Sequence, residues 1–468
     1  MKAFAIFESA VSYTGFQSLY FPTTYIDRGG NFLLSIIGLL VILTIVILLI
    51  TQKLNPIVAL VIIPFIGALV AGFGPGEITE FFNDGISSVI SVVIMFIFAI
   101  LFFGIMQDTG MFNPLINKMV KLSRGNVILV AMATVIIGAI AHLDGSGAST
   151  FLITIPALLP LYKKLNMSPY MLVMLIGMSA SIMNMVPWGG PLGRTAAVLG
   201  VDSSELWQPL IPLQGVLIVL LIGMGALVGG LEKKRLHRKG MLTEDINFDN
   251  FNLNNNNDEE AESLRRPKLL WFNLLLTLTV VGLLMSGLLP AGLIFMLAVS
   301  IALPINYRSM DVQMDRIKAH APSALMMAAI ILAAGSFLGI LENTGMLNSL
   351  AEDMVIILPA FLVPFLHYII GFFGAPLELV LNTDAYYFAL LPVVEQIVST
   401  HGVDSITAAY SMMIGNVIGT FISPFSPALW LAVGLAGIEM GRYIKYAIFW
   451  VWGFSVLAMA AAFLMGII

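Results

Sequence analysis

The sequence has 468 residues, 59% hydrophobic and 10% charged, with a formal net charge of −5. Soluble domains carry roughly 25% charged residues, so at a mean hydropathy of +0.96 this chain cannot cover a water-facing surface. The small net charge offers no basic surface for nucleic acid, and the absence of cysteine excludes disulfides and thiolate metal sites.

Residues 1–30 lack the basic end, apolar core and small-residue cleavage site of a signal peptide, and read as a short interfacial leader ending at Asp27-Arg28-Gly29-Gly30. The run from Phe32 to Ile50 reaches the about 20 apolar residues that span a bilayer. It does not alternate as a barrel strand would. In lipid the backbone groups must pair internally, so such runs are helices. Helices are predicted near 31–51, 56–72 and 86–112, followed by a basic amphipathic stretch at 113–125. Residues 126–162 then form a re-entrant hairpin, 168–200 a broken helix and 209–231 a further helix. Residues 232–268 are soluble in character. They hold Lys233-Lys234-Arg235, an asparagine-rich acidic run and Arg265-Arg266-Pro267-Lys268, the composition of a disordered linker. The second half, 269–468, repeats the plan. Helices are predicted near 269–288, 291–305 and 321–345, a hairpin at 359–394, a broken helix at 406–438 and a last helix at 445–467.

The two halves are internal repeats. Phe103-Gly104-Ile105-Met106-Gln107-Asp108-Thr109-Gly110-Met111 returns as Leu338-Gly339-Ile340-Leu341-Glu342-Asn343-Thr344-Gly345-Met346, an offset of 235 residues. Ile176-Gly177 with Pro187 and Pro191 returns as Ile414-Gly415 with Pro424 and Pro427. The basic loops of one repeat correspond to loops without Lys or Arg in the other. With the linker cytoplasmic, all but Lys2, Arg28 and Arg194 of the 22 Lys and Arg fall in cytoplasmic loops. The expected fold class is therefore an all-α polytopic membrane protein of two inverted-topology repeats, each with a re-entrant hairpin and a broken helix. That is the architecture of many secondary transporters.

Polar residues gather at four points. The first hairpin tip carries His142, Asp144, Gly145, Ser146, Gly147, Ser149 and Thr150. It reads as a half-helix N-terminus facing an anion, or as a tight turn in which Asp144 caps a helix. The second tip carries Asn382, Thr383 and Asp384, with Glu378 either beside the site or toward the outer surface. The broken helices carry Asn184, Pro187, Gly189 and Gly190 in one repeat and Ser423 and Ser426 in the other. Pro and Gly at this density free carbonyls that bind cations, unless they mark packing kinks. Arg194 is a charge inside the membrane, normally functional, or a side chain reaching to the outer interface. Asp144 and Asp384 can share a hard divalent cation, and with His142 they are candidates for a coupling proton.

Three segments carry a family resemblance: Leu143-Asp144-Gly145 with its following hydroxyls, Asn184 to Arg194 around Pro187-Trp188-Gly189-Gly190-Pro191, and Thr383-Asp384-Ala385-Tyr386-Tyr387-Phe388. On these the chain resembles the citrate–metal:proton symporter family, CitMHS, of the ion transporter superfamily, from about residue 31 onward. The resemblance implies import of citrate complexed with a divalent cation of the Mg or Ca type, with no prosthetic group. It further implies proton coupling and elevator motion within a homodimer in a bacterial cell membrane. It places substrate groups at Asp144 to Thr150, Asn184, Arg194 and Asn382 to Asp384. Family members commonly carry Asp-Gly-Asp-Gly at the first tip, where this chain has Ser146 for the second acid. Rival readings are a sodium-coupled di- or tricarboxylate carrier of the same architecture and, more remotely, an intramembrane aspartyl hydrolase using Asp144 and Asp384. Two closed hairpin tips favour alternating access over a channel.

Overall fold

The computed structural model describes residues 28–51, 53–111, 114, 126–241, 259–359 and 361–468. The leader to residue 27, nearly all of the basic stretch at 113–125 and the acidic linker run at 242–258 lie outside these residues. Every described element is helical. The N-terminal half contains α1 (Arg28–Ile50), α2 (Pro56–Val70), α3 (Pro75–Asp108), α4 (Val127–Ala141), a 3-10 turn (His142–Asp144), α5 (Gly147–Lys164), α6 (Pro169–Met183), α7 (Gly190–Leu199), α8 (Ser203–Trp207), another 3-10 turn (Gln208–Leu210) and α9 (Ile211–Arg238). The C-terminal half contains α10 (Glu259–Leu264), α11 (Leu270–Ser286), α12 (Ala291–Asn306), α13 (Met310–Asn343), α14 (Met346–Ile357), α15 (Leu366–Phe372), α16 (Gly374–Leu377), a π-helical segment (Ala385–Leu390), α17 (Leu391–Ser399), α18 (Ser405–Val417), α19 (Pro427–Ala436) and α20 (Met440–Leu464).

Among the described residues, seven helical runs are long and apolar enough to cross a membrane, including Phe32–Leu49, Pro75–Asp108, Met310–Asn343 and Met440–Leu464. The chain is thus an all-helical, multi-pass membrane protein. Large apolar side chains such as Leu40, Ile47, Leu275 and Leu278 point outward from α1 and α11, where lipid takes the place of a protein core.

The helix boundaries follow local signals. Asn55 caps α2, its Oδ1 accepting from the Ile57 N–H at 2.9 Å, with Pro56 supplying a first position that needs no N–H partner. Glu77 closes the start of α3 by accepting from the Gly74 N–H at 2.8 Å. Asp404 caps α18 by accepting from the Thr407 N–H at 3.1 Å.

Two corrections to the sequence reading come from these signals. α3 and α13 begin at Pro75 and Met310, not at 86 and 321. The apolar run starts late in each, but a polar first third continues the same helix. Arg316 and Lys318 are therefore helical residues and not loop residues. Both helices have 34 residues, and their starts are separated by the offset of the sequence repeat. α14 fills the stretch between 345 and 359, where no element is predicted, and is an amphipathic helix.

The long helices α3 and α13 cross in the centre. A Cβ on Gly85 would lie 2.1 Å from the Gly335 carbonyl oxygen, and one on Gly339 would lie 2.3 Å from that of Phe81. Small residues at this crossing let the two backbones touch. Between α11 and α12, Asn273 and Asn306 exchange two amide hydrogen bonds, each of 2.9 Å. Around the crossing the halves interlock. α5, which follows the first tip, packs on α19 of the second broken helix. The π-helical segment after the second tip packs in turn on α7 of the first.

Candidate functional site

The first tip is a closed network. The 3-10 turn ends on Gly145, whose φ of +71° is left-handed. The Ser146 N–H donates to Asp144 Oδ1 at 2.9 Å, and Ser146 itself caps α5. The helix cap expected of Asp144 is thus Ser146, because Asp144 is used one step earlier to fold the turn. His142 is fully buried, with Nδ1 2.7 Å from Thr150 Oγ1 and Nε2 2.9 Å from Asn184 Oδ1. Trp188 Nε1 donates to the Leu143 carbonyl at 2.8 Å. Asn184 and Trp188 therefore lock the first break to the first tip. Gly189 is required there, since a Cβ would fall 2.1 Å from the Asn184 carbonyl oxygen.

The second tip is built around an ion pair. Asn382 Oδ1 accepts from the Ala385 N–H at 2.8 Å and starts the π-helical segment. Arg194, in the first turns of α7, is 8% exposed, and its Nε and Nη2 meet Asp384 Oδ1 at 2.8 and 2.7 Å. The guanidinium carbon lies 5.9 Å from the Phe388 ring centroid. Arg194 is therefore not an anchor at the outer interface. Glu378 is 0% exposed, so the reading that turns it toward the outer surface is also corrected.

A cavity of about 580 Å³ opens against this pair, lined by Arg194, Asn382, Thr383, Asp384, Ser426 and, from outside the tips and breaks, Lys53 and Asn55. Lys53 is exposed and marks the open side. The structure thus gathers Arg194, Asn382, Thr383, Asp384 and Ser426 around one space. Asp144, Gly145, Ser146, Gly147, Ser149, Thr150, Asn184, Pro187, Gly189, Gly190 and Ser423 do not line it.

Asp144 and Asp384, the two acids expected to share a cation, each have another partner. Asp384 is held by Arg194 and Asp144 by its own turn. Among the described residues, no three His, Asp or Glu side chains converge as metal ligands. A buried arginine and a neighbouring carboxylate neutralise each other.

Sequence reasoning missed Lys53, read only as a loop charge, and a cluster beside the first tip. Asp108 Oδ2 lies 2.8 Å from His320 Nε2 and 3.4 Å from Arg316 Nη1. His320 is also within electrostatic reach of Asp144. Asp108 sits inside the repeated motif and His320 inside a helix, which were the available signals.

A family model described as citrate transporter, CitMHS, matches residues 35–415. A protein named citrate transporter from Bacillus subtilis (strain 168) is 36% identical over 436 residues, covering 93% of this chain and all of the relative (100%). Another from that organism, named Mg(2+)/citrate complex secondary transporter, is 35% identical over 436 residues, covering 93% and 99%. Among solved structures, the YdaH transporter of Alcanivorax borkumensis, reported as having an unusual topology, matches with a TM-score of 0.60 at 13% identity. The match covers 94% of this chain and 98% of that one, a likeness of fold alone.

Proposed function

The chain belongs to the citrate transporter family, CitMHS, and on that premise we propose that it imports citrate as a complex with a divalent cation, coupled to protons. It is a membrane transporter and not an enzyme, which removes the aspartyl hydrolase reading. The observation that carries the proposal is the buried Arg194–Asp384 pair on the wall of a solvent-open cavity. In this reading a carboxylate of the substrate takes Asp384's place on Arg194. Free citrate carries about three negative charges at neutral pH, and a divalent ion leaves about one, which a single guanidinium matches. Citrate's own oxygens supply most of the ligands to the ion. Asp144, with the hydroxyls of Ser146 and Ser149, is the first tip's acid for the ion. Lys53 draws the anion toward the cavity.

The packing supports an elevator mechanism. Each tip rests on the broken helix of the other half, so tips and breaks move as one body, and an elevator displacement of that body exchanges access. With Lys53 assigned to the cytoplasmic side, the open cavity corresponds to an inward-facing state. A homodimer supplies the fixed frame, and the bacterial cell membrane is the setting.

The test is uptake of labelled citrate into proteoliposomes. Mg2+ or Ca2+ should be required, and chelation should abolish uptake. Replacing external sodium by choline should leave it unchanged. Uptake that persists under chelation, or that stops in choline, contradicts the reading in favour of free or sodium-coupled carboxylate.

A further inference from the structure

A second polar cluster surrounds Glu378, within electrostatic reach of Arg194 and Asp384. Glu378 follows α16 directly, is fully buried, and neither of its carboxylate oxygens has a hydrogen-bond partner. Asn416 and Ser423 lie beside its carboxylate, and Asn416 Oδ1 and Ser423 Oγ are likewise buried without partners. So is the hydroxyl of Tyr387, whose neighbours include Glu378 and Tyr386. The charged groups within reach of Glu378 are Arg194 and Asp384, and these two already neutralise each other. An ionised, unpartnered carboxylate in such a place is expensive.

We propose that Glu378 is the proton-binding site of the transporter, its carboxylate taking up one hydron that neutralises it and donates to the oxygen acceptors around it. The inference rests on the functional reading given above. The geometry favours a proton over a metal cation because the site lies where backbones touch. A Cβ on Gly374 would fall 2.6 Å from the Asn416 nitrogen, and one on Gly415 2.0 Å from the Gly371 carbonyl oxygen. Asn416 is itself fixed there, its Nδ2 donating to the Gly374 carbonyl at 3.1 Å. A sodium ion with its oxygen shell needs these helices to part, whereas a proton needs no added volume.

The location also explains coupling. When an anionic substrate takes Arg194, Asp384 loses its counter-charge and the neighbourhood of Glu378 becomes more negative. That favours the protonated carboxyl, so proton and substrate strengthen each other's binding, as linkage requires.

Full-length wild type and Glu378→Gln are compared in proteoliposomes by two readings. One is exchange of labelled for unlabelled Mg–citrate at equal pH on both sides. The other is acidification of the lumen when Mg–citrate is added outside. The wild type is expected to give both. Glu378→Gln is expected to keep exchange within a fewfold and to lose acidification and pH-driven accumulation. Glu378→Asp, which keeps a carboxyl, is expected to retain acidification. Wild-type acidification per citrate in Glu378→Gln overturns the proposal. So does wild-type accumulation driven by a sodium gradient and not by a pH gradient. A wild type that exchanges no citrate overturns the functional reading, and this proposal with it. Should neither variant fold, infrared spectroscopy of the wild type with labelled glutamate decides. A carbonyl band from a protonated buried glutamate at neutral pH is expected, and its absence overturns the proposal.

Discussion

In the proposed reading, Arg194 is the residue on which affinity turns. A guanidinium grips a carboxylate through parallel hydrogen bonds that an ammonium cannot reproduce. Arg194→Lys should therefore raise the citrate concentration for half-maximal uptake, and Arg194→Ala should raise it further. Losing a charge-assisted bond in a partly dry site is worth about 1.5–3 kcal/mol, or about ten- to hundredfold in affinity. Equal half-saturation values for the three proteins would remove Arg194 from the site. Asp384→Asn acts on the same pair from the other side: it leaves Arg194 without its resting partner, so citrate should bind but dissociate slowly, with a lower half-saturation value and slower turnover. An unchanged turnover would show that Asp384 does not compete with the substrate. The chemistry of both residues was legible in the sequence, because a base and an acid inside apolar segments stand out. Their pairing was not, since it joins positions 190 residues apart. Lys53 was hidden for a different reason: its loop position explained its charge fully.

At the scale of elements, the hydrophobic pattern located the helices well and their beginnings poorly. α3 and α13 start with polar turns that period and hydropathy assign to loops, and the same error appears in both halves because the repeat carries it. The helix interruptions at 142–146 and 184–189 were readable from glycine, proline and hydroxyl content. What each tip rests on was not, because that is settled by packing between halves. Gly145 shows the constraint on a tip. A side chain there must adopt a left-handed φ of +71°, with its Cβ 3.0 Å from the Trp188 carbonyl oxygen. Gly145→Ala should cost at least about 1–2 kcal/mol and lower the unfolding temperature of the purified protein; an unchanged midpoint would show that the turn relaxes freely. Trp188→Phe keeps the ring stacked on Phe103 at 4.7 Å but removes the bond to the Leu143 carbonyl. Uptake should fall while the protein still folds. Wild-type uptake would mean that tip and break need no such clamp.

Across the whole molecule, the interlocking of the halves makes the candidate site a property of the complete chain. The linker is different. Its run from Thr243 to Asp258 is polar and asparagine-rich and joins two halves that already hold each other through α3 and α13. Replacing it by a Gly/Ser tether of equal length should leave uptake intact, and loss of activity in a well-expressed variant would show that it touches the moving body. The central claim is that citrate and a divalent ion cross together on one site. It is tested most directly by measuring both species at once, with differently labelled citrate and divalent ion, in proteoliposomes under an inward proton gradient. The account predicts equal initial rates, one ion per citrate, falling in parallel in Arg194→Ala. Citrate entering without the ion, or in a ratio that drifts with ion concentration, would contradict it.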